Sequence, residues 1–275
     1  MKVVILAGGK GTHLVEGASV RPKSMVEIGG WPILWHLMKI YSRHGFNDFI
    51  ICCGHKGEVI KEFFANYALR RADVTFDFRT GSTSYHSSVT EPWRVTLVDT
   101  GEDTMTGGRI KRIAKYVGNE TFCCTYGDSL CNVDIGRLVK FHHAQRRLAT
   151  LLAVQPPGRF GAFTLSKDDP RIGDFREKPR GDGAWVNGGF FVLQPEVVDY
   201  IDDDSIVWEQ EPMRHLSEEG QLSAYRHDGF WHAIDTLRDM LVLQDMWQSG
   251  KAPWREEALE AITYQDMVPS FGAPS

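Results

Sequence analysis

The chain has 275 residues, of which 42% are hydrophobic and 24% are charged, a balance typical of a globular protein with a large core rather than of a disordered chain. Its formal net charge of -5 gives no electrostatic support for a nucleic acid partner, for which a basic stripe would be expected. Since no apolar segment reaches the length of a membrane span or resembles a secretory leader, we also expect no membrane partner.

Strand and helix patterns alternate from the N-terminus. Residues 2–7 form an apolar run that ends in a glycine-rich turn, which is typical of a strand buried on both faces of a parallel sheet. A helical pattern follows Pro32 and ends before Gly45, and the same pair recurs as a strand at 48–53 and a helix at 58–67. This order predicts an α/β fold with a Rossmann-like, mostly parallel sheet sandwiched by helices.

The elements that follow keep to the same pattern. Further strands are predicted at 74–78, 95–99, 121–125, 150–155, 161–165 and 189–193, and further helices at 135–146, 195–201, 209–218 and 237–247. The polar, serine-rich segment 80–93 is expected to form an exposed loop or a subunit contact. The sequence has no hexapeptide period, so we expect no β-helix domain. The expected organisation is a single domain at 1–254 and a tail at 255–275.

The cysteines indicate a reducing compartment. They comprise two adjacent pairs and one single residue, namely Cys52, Cys53, Cys123, Cys124 and Cys131. An odd number, with no residues between the members of a pair, fits neither a disulfide framework nor a tetrahedral zinc site. We therefore expect reduced cysteines and a cytoplasmic protein.

A glycine-rich segment at residues 8–12 follows the first strand and predicts a phosphate-binding loop. Glycines let backbone N–H groups turn toward phosphate oxygens because no Cβ blocks the approach. The segment matches neither the Walker loop nor the dinucleotide-binding fingerprint. A tight turn without a ligand is the alternative, and the downstream Lys23 favours phosphate.

Two aspartates are candidate metal ligands. Asp128 follows the apolar strand predicted at 121–125, which places a carboxylate at the carboxyl edge of the sheet. Asp235 follows the aromatic pair Phe230 and Trp231, which we expect to pack it near the same edge. Two carboxylates suit Mg2+, an ion that binds through one or two carboxylates and substrate phosphates. Either aspartate alone is also typical of a turn or a helix cap.

Motifs along nearly the whole chain resemble those of the sugar-1-phosphate nucleotidyltransferase family, most of all its cytidylyltransferases. The signature loop is the run LAGGKGTHL at 6–14, followed by Arg-Pro-Lys at 21–23. Further matching segments lie at 29–36, 98–109, 155–162, 177–184, 187–192 and 235–239. One such match would be weak evidence, but this number in one order is specific.

The resemblance implies the nucleotide-diphospho-sugar transferase fold and a Mg2+-dependent reaction. A phosphate oxygen of a sugar 1-phosphate would attack the α-phosphorus of a nucleoside triphosphate, and pyrophosphate would leave. The implied partners are CTP, or another nucleoside triphosphate, and glucose 1-phosphate; the choice of cytosine depends on the resemblance alone. A homo-oligomer is implied by analogy with the family.

The resemblance also assigns the site residues. The catalytic group is Lys10, Lys23, Asp128 and Asp235, with both aspartates as the Mg2+ ligands. The nucleotide-binding group is Leu6, Ala7, Gly8, Gly9, Gly11, Thr12, His13, Thr104 and Arg109. The sugar-phosphate-binding group is Glu177, Lys178, Asn187 and Gly188.

The sequence departs from the family pattern around this site. His13 stands where the family has an arginine, so a permanently charged fork is replaced by a ring that is mostly neutral at pH 7. The other replacements are Ser24 for proline, Ser129 for glycine, Asn132 for aspartate and His232-Ala233 for Gln-Pro. Two alternatives therefore stay open: a nucleotide-binding homologue without turnover, and a nucleotidyltransferase with another base or sugar.

Overall fold

The described part of the chain comprises residues 1–10, 21–86, 91–156, 162–165, 171–176 and 184–255 of a computed structural model. Several residues that the resemblance assigns to the site lie outside these ranges, namely Gly11, Thr12, His13, Glu177 and Lys178. The division into a domain at 1–254 and a tail stays a prediction, because residues 256–275 also lie outside the described ranges.

Strands and helices alternate along the chain. The strands are β1 (Val3–Leu6), β2 (Glu27–Ile28), β3 (Trp31–Pro32), β4 (Asp48–Cys53), β5 (Val74–Asp77), β6 (Ser82–Tyr85), β7 (Arg94–Asp99), β8 (Phe122–Tyr126), β9 (Ser129–Cys131), β10 (Ala149–Val154), β11 (Ala162–Leu165), β12 (Ile172–Arg176), β13 (Val186–Leu193), β14 (Leu222–His227) and β15 (Trp231–Ala233). The helices are α1 (Ile33–Ser42), α2 (Gly57–Ala65), α3 (Thr106–Val117), α4 (Ile135–Gln145), α5 (Glu211–Glu218) and α6 (Leu237–Gln248), with short 3-10 helices at Lys23–Met25 and Pro195–Tyr200.

The central sheet contains seven strands of the described residues, in the order β14-β10-β13-β8-β1-β4-β7. Neighbours are parallel except where β13 is involved, since β13 runs against both β8 and β10. The carboxyl ends of six strands therefore share one edge, and the reversed β13 brings its first residues to that same edge. This arrangement confirms the predicted mostly parallel sheet.

Helices cover both faces of the sheet. Alternate residues of β1 face opposite sides, so Val3 and Ile5 pack with α1, α2 and α4, whereas Val4 and Leu6 pack with α3 and α5. Full burial of an aliphatic side chain of this size stabilises the fold by roughly 1.5–3 kcal/mol. The predicted sandwich of helices around the sheet is therefore confirmed. None of the described helices combines the length and the apolar character that a membrane crossing requires.

Most predicted elements are present within a few residues of their expected bounds, but the segment after β4 and α2 differs. β5 pairs with β6 in an antiparallel hairpin apart from the central sheet, and β6 lies within the segment 80–93 that was predicted to be a loop. The hairpin exposes Phe76 and Phe78, whose rings stack with centroids 6.3 Å apart. Serine and threonine strands of this kind lack the apolar alternation by which strands are usually recognised.

Helix α3 is absent from the sequence prediction because Gly107 and Gly108 near its start have low helix propensity. Both glycines are buried against the chain at 204–206. A Cβ at Gly107 would lie 2.7 Å from the carbonyl oxygen of Ile206, and one at Gly108 would lie 2.6 Å from the Cα of Asp204. The glycines therefore serve close packing of the helix, which local propensity does not reveal.

A buried histidine joins α1 to the C-terminal part of the described chain. The indole Nε1 of Trp254 donates to Nδ1 of His36 at 3.4 Å, so Nε2 of His36 carries the proton and donates to the carbonyl of Ile28 at 2.8 Å. Burial lowers the pKa of His36 to about 4, because the neutral ring is favoured where water is excluded. His36 therefore stabilises the fold only while it is neutral.

We expect the free energy of unfolding to fall as the pH drops below about 6.5, the ordinary histidine pKa. Because the folded-state pKa lies near 4, the neutral ring contributes up to about 3 kcal/mol above pH 6.5, and this contribution is lost progressively toward pH 4. Denaturant unfolding of wild type and a His36→Gln variant between pH 7.5 and pH 4.5 should show a shallower loss in the variant. The exposed His215→Gln variant is the matched control, and equal slopes in all three proteins would contradict this role.

Candidate active site

Two distant aspartates are brought together by a short antiparallel ribbon at the carboxyl edge of the sheet. β9 pairs with β15 so that Ser129 lies opposite Ala233, and the backbone N–H of Ile234 donates to the carbonyl of Asp128 at 2.9 Å. Asp128 directly precedes β9, and Asp235 is the second residue after β15. The register of this ribbon therefore places the two carboxylates side by side.

Lys23 lies between these carboxylates. Its Nζ donates to Oδ2 of Asp128 and to Oδ1 of Asp235, each at 2.7 Å. Burial by itself lowers the pKa of Lys23, but the two carboxylates outweigh that effect, and the pKa lies above the ordinary lysine value. Lys23 is therefore a fixed, protonated cation at neutral pH.

The same geometry fits a divalent cation. Oxygens of Asp128 and Asp235 already converge on one positively charged atom, which shows that both can contact one cation at the same time. Within the described ranges, no group of three or more histidine, cysteine, aspartate or glutamate side chains could hold a metal ion. Two carboxylates are compatible with Mg2+, which takes one or two carboxylates and completes its shell with phosphate and water oxygens, and the Mg2+ site stays a prediction.

Two hydrogen bonds to the carbonyl of Gly8 hold the start of the glycine turn in place. The carbonyl of Gly8 accepts from the backbone N–H of His55 at 3.1 Å and from Nη2 of Arg109 at 2.9 Å. In a planar trans peptide the C=O of one residue and the N–H of the next point in opposite directions. The N–H of Gly9 is therefore directed away from Arg109, and it has no acceptor among the described residues.

Arg109 is only 3% exposed, and its guanidinium is surrounded by neutral oxygens. Nη1 donates to Oγ1 of Thr100 at 2.7 Å and to the carbonyl of Gly101 at 2.8 Å, with Cys53 O at 3.3 Å. Nη2 donates to Gly8 O and to Glu102 O at 3.3 Å. Burial lowers the pKa of Arg109, yet arginine stays charged in proteins. All four terminal N–H protons thus serve the protein, so the predicted direct contact with a nucleotide stays a prediction.

Glycines form the walls of the space that holds this guanidinium. A Cβ at Gly8 or at Gly54 would overlap Nη1 of Arg109, and one at Gly54 would also lie 2.6 Å from the carbonyl oxygen of Gly8. These residues follow β1 and β4, adjacent strands that end at the same edge. Gly101 follows β7, so a third loop also contributes. The backbones of the loops after β1, β4 and β7 therefore pack directly against the buried guanidinium of Arg109.

Two further residues assigned to the nucleotide side occupy different environments. Nζ of Lys10 is exposed and pairs with Asp103 at 2.6 Å, and this hydrogen bond raises the pKa of Lys10. Thr104 is buried between Gly101 and Gly108. Lys10 therefore lies in solvent beside a carboxylate, whereas Thr104 contributes to packing between the loop after β7 and the start of α3.

The predicted sugar-binding residues Asn187 and Gly188 lie at the start of β13. Because β13 runs against β8, they reach the edge where β8 ends. Oδ1 of Asn187 accepts from the N–H of Gly189 at 2.9 Å, and the carbonyl of Gly188 accepts from Nε1 of Trp231 at 2.7 Å. Trp231 belongs to the ribbon that ends just before Asp235, so this hydrogen bond joins the start of β13 to the ribbon that positions the aspartate pair.

Two residues at this edge, Tyr126 and Glu209, are not among the site residues predicted from the sequence. Tyr126 is the last residue of β8, and its hydroxyl accepts from Nδ2 of Asn187 at 3.1 Å and donates to Glu209. Tyr126 could have been noticed in the sequence because it directly precedes Gly127 and Asp128. Glu209 has no such signal, since it lies before α5 and 83 positions from Tyr126.

Two of the departures from the family pattern flank the aspartate pair. Ser24 and Ser129 follow Lys23 and Asp128 directly and are almost fully buried. In the described part of the chain, neither hydroxyl has a hydrogen-bond partner. A buried hydroxyl without a partner costs free energy, so neither serine stabilises this part of the site through a hydrogen bond with the described residues.

The chain is similar to known proteins over most of its length. The model of the family described as nucleotidyl transferase matches residues 2–244. Glucose-1-phosphate cytidylyltransferase of Salmonella typhi is 56% identical over 256 residues, which cover 93% of this chain and 99% of that protein. Mannose-1-phosphate guanyltransferase of Saccharomyces cerevisiae is 29% identical over 246 residues, covering 88% of this chain and 63% of that protein.

The fold is also found among solved structures. HddC from Yersinia pseudotuberculosis matches with a TM-score of 0.64 at 21% identity, covering 90% of this chain and 99% of that chain. At this identity the likeness shows the fold alone. The two sequence relatives and the family model confirm the resemblance that the motifs indicated, and the chain belongs to the nucleotidyl transferase family, among its sugar-1-phosphate nucleotidyltransferases.

Proposed function

We propose that this protein transfers CMP from CTP to glucose 1-phosphate in a Mg2+-dependent reaction. The observation that carries the proposal is the convergence of Asp128, Asp235 and Lys23 on one point beside the glycine turn. A relative that covers almost the whole chain bears the name glucose-1-phosphate cytidylyltransferase, which supports this base and this sugar. The convergence supports the chemistry, and the relative supports the substrates.

The reaction exchanges one phosphoanhydride for another. A phosphate oxygen of the sugar 1-phosphate forms a bond to the α-phosphorus of the triphosphate, and the bond from that phosphorus to the bridging oxygen of pyrophosphate breaks. The nucleophile is already an anion, so no general base is needed. The task of the protein is to position two polyanions and to neutralise the charge at the pentacoordinate phosphorus.

The residues of the aspartate pair and the glycine turn divide this task. Asp128 and Asp235 would hold Mg2+, which supplies a Lewis acid for phosphate oxygens when bound. Lys23 stays protonated and lies within hydrogen-bond distance of both aspartates, so it is placed to donate to the α-phosphate. Lys10 and the backbone N–H groups of the turn are the donors that we assign to the leaving pyrophosphate.

Arg109 supports this site from beneath the turn. Its charge is buried, and the acceptors that it contacts within the described residues are all neutral oxygens. Such a cation raises the electrostatic potential where phosphates would lie, because neutral dipoles screen it less than a carboxylate would. We assign Arg109 to shaping and charging the turn, in addition to the predicted nucleotide contact.

The location and assembly of the protein are part of the same proposal. All five cysteines are free and buried, which supports a cytoplasmic protein. A homo-oligomer is proposed by analogy with the family, and the exposed aromatic side chains of the β5–β6 hairpin support it.

A substrate panel tests the function directly. CTP, UTP, dTTP and GTP should be combined in turn with glucose 1-phosphate and with other sugar 1-phosphates, in Mg2+, and pyrophosphate release measured. We expect the highest kcat/KM with CTP and glucose 1-phosphate. Binding of nucleotide by calorimetry without pyrophosphate release, in wild type and in a His13→Arg variant, would instead indicate a homologue without turnover.

Replacing either member of the aspartate pair should abolish turnover without unfolding the protein. We expect Asp128→Asn and Asp235→Asn each to lower kcat by at least about 100-fold, because an amide removes the negative charge that Mg2+ and Lys23 require. Binding of Mn2+, measured by electron paramagnetic resonance, should weaken in parallel. Asp245→Asn, an exposed site on α6, is the control. Retained activity in Asp128→Asn would remove that residue from the site.

Arg109→Lys should disrupt the glycine turn. One ammonium group cannot replace four directed N–H donors, so we expect kcat/KM to fall by about 100-fold and the melting temperature to drop by several degrees. Arg112→Lys, whose guanidinium pairs with Asp204 at the surface, is the matched control and should behave like wild type. A rise in the KM for the nucleotide with an unchanged melting temperature would point to direct contact instead.

A further inference from the structure

A chain of hydrogen bonds links the start of α3 to the start of β13. Oγ1 of Thr106 donates to Glu209 at 2.7 Å, the hydroxyl of Tyr126 donates to the other carboxylate oxygen of Glu209, and Nδ2 of Asn187 donates to the Tyr126 hydroxyl at 3.1 Å. Thr106 also accepts from the backbone N–H of Trp208 at 2.9 Å. We name these four residues, Thr106, Glu209, Tyr126 and Asn187, the Tyr126–Glu209 network.

The direction of each bond in the network is determined by chemistry. An ionised carboxylate can only accept, so the proton of the Tyr126 hydroxyl must point to Glu209. A tyrosine hydroxyl carries one proton, and the contact with Glu209 uses it. The remaining lone pairs of the Tyr126 oxygen can therefore only accept, and Asn187 must present its NH2 group to them.

Asn187 is held at its other end as well. Its Oδ1 accepts from the backbone N–H of Gly189 at 2.9 Å. If the amide turned over, Oδ1 would face the lone pairs of the Tyr126 oxygen, and the NH2 group would face the N–H of Gly189. Both contacts would then be repulsive, and partly buried polar groups would be left without partners. One orientation of the amide is therefore strongly preferred.

Packing prevents the tyrosine from moving out of this arrangement. Gly189 has a φ of +76°, and a Cβ at this position would overlap the ring of Tyr126. The Tyr126 ring also packs edge-on against Phe191, with centroids 5.6 Å apart. The ring is therefore confined between β8 and β13, and the hydroxyl that orients Asn187 has a fixed place.

We propose that Tyr126 and Glu209 are positioning residues that set the orientation of the Asn187 amide and thereby the recognition of sugar hydroxyl groups in a hexose 1-phosphate. The proposal rests on the proposed function, since it concerns the sugar side of the same site. After its contacts with Tyr126 and with the N–H of Gly189, Asn187 still has one N–H donor and one Oδ1 lone pair available. The fixed orientation of the amide determines which side presents the donor and which the acceptor. A hydroxyl group, which can both donate and accept, is the partner that fits such a pair.

Epimers of the sugar provide the sharpest test. We expect Tyr126→Phe to raise the KM for glucose 1-phosphate about tenfold, to leave the KM for CTP within about twofold of wild type, and to reduce the preference for glucose over galactose 1-phosphate. Glu209→Ala should act like Tyr126→Phe. Glu209→Gln should keep most of the discrimination, because a glutamine can still accept from Tyr126.

Tyr200→Phe is the matched control, because its hydroxyl donates to Glu219 at 2.5 Å in a tyrosine–glutamate pair outside the network. It should leave both KM values unchanged. Melting temperatures of all variants show whether each is folded. In addition, NMR of the side-chain amide should show the Asn187 NH2 protons exchanging with solvent more slowly in wild type than in Tyr126→Phe, a readout that needs no turnover.

The outcomes separate this inference from the proposed function. A wild-type protein silent with every sugar 1-phosphate would overturn the proposed function and the sugar part of this inference with it. An active wild type whose KM for the sugar does not change in Tyr126→Phe would overturn this inference alone. Equal rises in both KM values, accompanied by a lower melting temperature, would also overturn it, because they would show a purely structural role.

Discussion

The shared contact of Asp128 and Asp235 with one ammonium group is the interaction on which the site depends. Two carboxylates that contact the same atom repel each other unless that atom carries a positive charge. Lys23 supplies that charge, and the β9–β15 ribbon supplies the register that holds the carboxylates at its end. The two carboxylates that bind Lys23 are also the ones that we propose would hold a divalent ion, so the same pair serves the folded protein and the proposed chemistry.

Positive charge at this edge is arranged in layers. Lys10 is exposed and paired with a surface carboxylate, Lys23 is half-buried between two carboxylates, and Arg109 is buried among neutral oxygens. Screening by water decreases in the same order. The buried cation requires glycines around it, because a Cβ at Gly8 or Gly54 would occupy the space of the guanidinium. The glycines that follow β1 are therefore a packing requirement of Arg109, in addition to the phosphate-binding role predicted for this turn.

The reversed strand β13 connects the two halves of the site. Running against β8, it carries Asn187 to the edge where the parallel strands end, and Tyr126 and Trp231 hold its first residues from two sides. Tyr126 also reaches the start of α3 through Glu209 and Thr106, and α3 carries Arg109. The start of β13, where sugar binding is predicted, is thus connected to the glycine turn by hydrogen bonds and one helix. Hydrogen bonds between partly buried groups are stronger than exposed ones, because water competes less for their donors and acceptors.

Local patterns were enough to predict the alternation of strands and helices, the mostly parallel sheet and the family, because buried strands and glycine turns are recognisable in short segments and the motifs occur in one order. They also pointed to Lys23, Asp128 and Asp235, since each lies within a motif or at the end of an apolar run. By contrast, the helical state of α3 despite its two glycines, and the use of all terminal Arg109 donors within the protein, became evident from the folded chain alone. The same holds for Glu209, which is 83 positions from Tyr126 and lies in no motif. The physical reason is common to these cases: close packing and hydrogen-bond direction depend on groups that are distant in the chain, and local propensity and spacing carry no record of them.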